Sequence, residues 1–91
     1  MQQWQQNIYK ILEKDPLNIR NEKILTSKII GTLNKNDLIE VYKIENLDDN
    51  NSGIIRAKLN NGWTTFYHPK IGNTMETEYN IKIYKNEIVN Q

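Results

Sequence analysis

The 91-residue sequence predicts a small all-β domain, a barrel or sandwich of five to six short antiparallel strands. Three observations carry this expectation. Apolar and polar residues alternate with period two in "LIEVYKI" (Leu38 to Ile44) and "IIRAKL" (Ile54 to Leu59). Turn chemistry separates the runs at Asp15-Pro16, at "NKND" and at Asn61-Gly62. No internal segment repeats its apolar residues at helical spacing over the length a stable helix needs.

The elements follow in order. Residues 1–7 read as a polar, Gln-rich arm, with Trp4 its one aromatic side chain. "IYKILE" (Ile8 to Glu13) is rich in branched and aromatic residues and is closed by Asp15-Pro16, which cannot continue a ladder. Ile8, Ile11 and Leu12 also recur at helical spacing, so a helix competes there; the strand is preferred. "LNIR" places Leu17 and Ile19 on one face and Asn18 and Arg20 on the other. The loop "NEKILTS" leads to "KIIGTL", whose Gly31 signals a bulge or a close backbone approach. In the following turn Asn36 is suited to positive φ.

"LIEVYKI" is the strongest strand, with Ile39 and Val41 on one side and Glu40 and Tyr42 on the other. "ENLDDNNSG" has no period and reads as an exposed loop. In "IIRAKL", Ile55, Ala57 and Leu59 point inward and Arg56 and Lys58 outward. Asn61-Gly62 then predicts a type I′ hairpin turn into "WTTFYH", since that turn needs positive φ at both central residues. At the far end Tyr79, Ile81 and Ile83 alternate with Asn80, Lys82 and Tyr84, a last strand. Residues 8–91 are thus expected to form one domain with an extra C-terminal strand.

Composition narrows the function classes. Twelve basic against eleven acidic residues leave a formal charge of +1, too little to select nucleic acid or an anionic membrane. The absence of cysteine removes disulfides, thiolate metal sites and cysteine nucleophiles. No apolar run approaches the roughly 20 residues that cross a bilayer, and the N-terminus lacks the form of a signal peptide. The expectation is a soluble, cytoplasmic chain, and a domain excised from a longer protein would read the same way.

"LNIR", a seven-residue loop, "KIIGTL", "NKND", "LIEVYKI", "IIRAKL" and "NNGW" form an ordered series from Leu17 to Phe66. It resembles the bacterial SH3-like domain. The resemblance implies a five- to six-stranded barrel that acts as a binding or targeting module, with cell-wall peptides, other proteins or neighbouring domains as partners. The loop lacks the family's Gly-Pro, Asn36 replaces its turn glycine, and Ile54 stands at its first tryptophan, which often belongs to the ligand surface.

The family pattern also implies that Thr64 and Phe66 face the core. Alternation from the Asn61-Gly62 turn would then put Trp63 and Tyr67 outside, near Tyr42 on the neighbouring strand. Exposed rings with polar tips suit a recognition surface. Trp63, Tyr67 and Tyr42 are therefore the candidate platform, with Arg56 and Glu40 as polar neighbours, for a protein or peptide segment. Packing of the chain's own ends over these rings is the structural alternative.

Nucleic acid is the second candidate partner, because small barrels with exposed aromatics can stack bases. Near-neutral charge counts against it. No catalytic, cofactor or metal set is expected: the lone His68 precedes a proline and reads as a turn residue, and Asp48-Asp49 reads as a solvated loop. Lys23, Lys28 and Lys35 are interspersed with Glu22 and Asp37 and read as ordinary mixed surface.

Overall fold

The computed structural model describes residues 8–48 and 51–77. The expected N-terminal arm and the expected strand around Tyr79 to Tyr84 lie outside them. Among the described residues the chain is all-β, with nine short strands: β1 (Ile8–Ile11), β2 (Leu17–Arg20), β3 (Ile29–Leu33), β4 (Leu38–Glu40), β5 (Lys43–Asn46), β6 (Ile55–Lys58), β7 (Trp63–His68), β8 (Gly72–Asn73) and β9 (Met75–Thr77). A three-stranded sheet has the order β4-β1-β9. A larger one runs β3-β2-β7-β6-β5, with β8 added on β7. Every pairing is antiparallel.

Two chain segments belong to both sheets and give the molecule its barrel-like form. The run expected as one strand from Leu38 to Ile44 is divided. Leu38–Glu40 pairs with β1, and Lys43–Asn46 pairs with β6. Between them Val41 turns into the core at 5% exposure, and the Tyr42 N–H bonds the Lys58 carbonyl at 2.8 Å. Thr74 makes the second corner, between β8 in the larger sheet and β9 in the smaller one. Strands that change sheets at a bend are a usual way to turn such corners.

Thr74 is fully buried, and its hydroxyl donates toward the Thr65 carbonyl (2.6 Å) and the Phe66 carbonyl (3.2 Å). Its own carbonyl accepts the Leu12 N–H at 2.7 Å. One small polar residue thus fastens β7 to the segment that follows β1.

The core is built from Ile11, Ile19, Leu33, Val41, Ala57, Leu59 and Met75, with Tyr9, Leu17, Ile39 and Phe66 packed against it. The inward faces expected of "LNIR", "LIEVYKI" and "IIRAKL" are observed at Ile19, Val41, Ala57 and Leu59. Thr64 is buried as expected, its hydroxyl bonding the Asn18 carbonyl at 2.9 Å. Tyr9 meets Phe66 edge to face, with ring centroids 5.6 Å apart and planes at 81°. That pair joins the two sheets and contributes about 0.5–1.5 kcal/mol beyond its buried area. Tertiary pairing decides β1 as a strand despite its helical spacing, because β4 and β9 take both of its edges.

Turn chemistry was legible in two places and misleading in a third. Asn36 has φ 76°, and its N–H bonds the Ile11 carbonyl at 2.8 Å. The β2–β3 register shifts so that Ile19 faces Gly31 while Arg20 faces Ile29, leaving Ile30 as the extra residue of a bulge beside the glycine. The Asn61-Gly62 turn is not type I′, since neither residue has positive φ. A four-residue connection joins Lys58 to its partner Trp63, closed by Leu59 N–H to Gly62 carbonyl at 2.7 Å.

Gly62 is required for space instead: a Cβ there would collide with the Arg20 carbonyl oxygen and press on Ile19 and Ile30 at 3.0 and 3.1 Å. Gly62→Ala should therefore destabilise by about 1–3 kcal/mol through overpacking, and Asn61→Ala should stay within about 0.5 kcal/mol. Equal urea midpoints for the two variants would refute this account of the turn.

Thr74→Val keeps the shape and removes the donor, so a loss of about 1–3 kcal/mol is expected. Thr74→Ser keeps the donor and should lose only about 1 kcal/mol, the value of one buried methyl. Urea unfolding of both variants makes the comparison.

Candidate functional site

The outward face of β5, β6 and β7 follows from the register. Ile44, Ala57 and Thr64 lie across from one another, and the buried Ala57 and Thr64 define the inward side at this level. The flanking rows face the other way: Lys43 opposite Lys58 opposite Trp63, and Glu45 opposite Arg56 opposite Thr65. Arg20 joins this face through its pairing with Trp63.

The loop between β2 and β3 folds over part of it. Ser27 shapes the loop, accepting the Glu22 N–H at 3.1 Å and setting its hydroxyl between the Glu22 and Ile24 carbonyls, 3.0 and 2.9 Å away. Asn21 N–H closes it onto the Lys28 carbonyl at 2.8 Å. Lys23 then reaches across the sheet. Its ammonium bonds Glu45 Oε1 at 3.1 Å and lies 6.0 Å from the centre of the Trp63 ring. Lys58 approaches the same ring at 5.9 Å, and Lys43 bonds Glu45 Oε2 at 3.3 Å. Trp63 is half-buried, with a cation at either hand near the limit of a cation–π contact.

Beside Trp63, Lys58 also lines an open groove of about 510 Å³ with Tyr42, Lys43, Leu59 and Asn60. Tyr42 is 51% exposed and donates its hydroxyl to Glu40 Oε1 at 3.1 Å. That hydrogen bond, followed by desolvation and the Glu40 charge, raises the phenol above its ordinary range. Two of the five expected site residues, Trp63 and Tyr42, thus lie beside Lys58, and a third, Glu40, is bonded to Tyr42.

The other two are placed differently. Tyr67 was expected beside Trp63, but the β6–β7 register shifts, with Ile55 opposite Tyr67 and Arg56 opposite Thr65. Ile55 and Arg56 are consecutive and point to opposite faces, so their partners do too. Phe66 is the extra residue of the bulge, and Tyr67 leaves the Trp63 face.

Arg56 was expected outside and is only 2% exposed. It does leave the sheet opposite to Ala57, but the β2–β3 loop covers it. Its Nε donates to the Lys23 carbonyl at 2.9 Å and its Nη1 to Thr65 Oγ1 at 2.7 Å. Both acceptors are neutral, and Nη2 has no partner. Desolvation first, and then the charge of Arg20, lower its pKa to about 10.

Lys23, Lys58 and Glu45 belong to the site without having been singled out as binding residues. Lys58 was legible as outward from alternation. Lys23 was not, because its partners come from strands distant in sequence. His68 was expected in a turn and is instead the last residue of β7, closing the turn that follows: its Nδ1 accepts the Lys70 N–H at 3.1 Å and its carbonyl the Ile71 N–H at 3.0 Å. Among the described residues no group of three His, Cys, Asp or Glu side chains is placed to hold a metal ion. No family model, characterised protein or solved structure matches the chain.

The hydrogen bonds from Lys23 and Lys43 hold the Glu45 carboxyl below its ordinary value of 4.5. A lowered folded value means that this tie contributes above the usual glutamate range and is lost as pH falls through the folded value. An NMR titration of the Glu45 carboxyl should give a midpoint below 4.5, and Lys23→Met should move it upward. An unchanged midpoint in the variant would show that the Lys23 bridge does not form in solution.

Proposed function

We propose that the chain is a non-enzymatic binding module of the bacterial SH3-like kind, and that it takes a protein or peptide segment across the face formed by Trp63, Lys58 and Tyr42. The observation that carries this reading is the setting of Trp63. Its ring sits on a paired strand about 6 Å from two lysine ammonium groups, and one of these, Lys58, also lines the groove with Tyr42. A rigid aromatic beside a groove offers large contact area with little side-chain entropy to lose on binding.

The all-β fold and the order of strands and turns from Leu17 to Phe66 support the SH3-like assignment. The charge of the whole chain favours a peptide over nucleic acid. Lys23 and Lys43 share Glu45, and a near-neutral chain gains little from counterion release.

The test begins with peptides selected from a displayed random library against the folded chain. Amide shifts on binding should cluster at Trp63, Lys58 and Tyr42. Trp63→Ala should weaken binding by about 2 kcal/mol or more, the scale of an interface hot spot, and Tyr67→Ala should leave affinity nearly unchanged. Affinity should vary little with salt. A steep fall with salt, together with selection of oligonucleotides in a parallel screen, would replace the peptide reading with the nucleic-acid one.

A further inference from the structure

We infer that the pocket beneath the β2–β3 loop is an oxyanion site, built for a phosphate-sized dianion. The pocket has a volume of about 200 Å³ and is partly open to solvent. That is well above the roughly 10–15 Å³ needed to seat one water molecule. Arg20, Arg56, Thr65 and His68 line it, with Leu25 and Ile71 as apolar wall. No carboxylate is among its described lining residues.

Arg56 is the central observation. A guanidinium at 2% exposure keeps its charge with two neutral acceptors, while its third nitrogen is buried without any partner. Buried polar groups are almost always paired, and a buried charge without a counter-charge is strongly unfavourable. Arg20 sharpens the imbalance. It lines the same pocket, spends Nη1 on the Ser27 carbonyl at 2.8 Å, and its charge disfavours that of Arg56. The two cations lack an anion.

The remaining groups are donors too. Thr65 Oγ1 accepts from Arg56, which leaves its own proton to give. His68 accepts at Nδ1, so the neutral ring carries its proton on Nε2. Guanidinium forks match phosphate oxygens in geometry, and two of them match a charge near −2. Free phosphate and the phosphoryl group of a small monoester share this chemistry. The inference stands independently of the peptide-binding reading.

The experiment titrates the isotope-labelled chain with sodium phosphate, with glycerol phosphate, and with sodium chloride at matched ionic strength. Readouts are the Arg56 Nε–H and Thr65 amide signals and the melting temperature. Phosphate should give saturable shifts and a concentration-dependent rise in melting temperature, where chloride gives only a linear drift. Glycerol phosphate binding as tightly as phosphate or more so identifies a monoester as the source, and its exclusion identifies the free ion.

Arg20→Gln, which removes a half-exposed cation and relieves repulsion, should fold and weaken phosphate binding about tenfold or more, the loss of one charge-assisted hydrogen bond. Lys35→Gln, in the turn before β4, should change nothing. Linear drift in all three salts, or saturable binding that Arg20→Gln leaves intact, overturns the site.

Discussion

The two sheets share their chain at Thr74, and the barrel-like form depends on that corner. An apolar residue there could fill the space but could not donate to the Thr65 carbonyl, as the Thr74 hydroxyl does at 2.6 Å. The backbone on either side is tied as well: Thr74 N–H bonds Phe66, and Leu12 N–H bonds Thr74. With the corner fixed, Met75 turns into the core at 3% exposure and Tyr9 is brought against Phe66. Polar satisfaction at one position thus sets the apolar packing around it.

The β2–β3 loop is the second organising element, and it makes two different surfaces from one sheet face. Where it crosses Arg56 it buries the guanidinium, beside a pocket that a second cation, Arg20, also lines. Where Lys23 extends past it toward Glu45 and Trp63, the face stays open and two of its cations, Lys23 and Lys43, bond the Glu45 carboxylate. The contrast lies in partners: Glu45 has two cations to accept from, while Arg56 has only oxygen atoms without formal charge. The same strand pair therefore carries, at directly opposed positions, a carboxylate bonded to two cations and a buried guanidinium bonded only to neutral oxygens.

How much of this was legible in the sequence depends on the range of the interaction. Period-two alternation found the inward residues of β2, β4 and β6, and Asn36 and Gly31 revealed their turn and bulge, because those signals are local. Arg56 defeated the same rule. Alternation fixes which side of a sheet a residue takes, and what covers that side is decided by a loop 33 positions away in sequence. The platform split at Tyr67 for a related reason, since nothing in "WTTFYH" marks Phe66 as the extra residue of a bulge. Gly62 was singled out for the wrong property. Its φ is ordinary, and its neighbour across space, Arg20, is invisible to a turn rule.

The placement of β1 has a kinetic consequence. Strands β5, β6 and β7 are neighbours in the chain and can zip as a meander with short loops to close. The first described strand, however, lies between β4 and β9, so its outer edge waits for nearly the last described residues. Loop closure grows more demanding with chain length, and non-local pairing slows folding. The local meander is thus the natural early structure, and docking of β9 on β1 the late step. Until that docking, β1 presents an unpaired edge beside Ile11, which is fully buried in the folded state. A chain still being synthesised passes through that open form each time, and the interval is when its edge is available to a wrong partner.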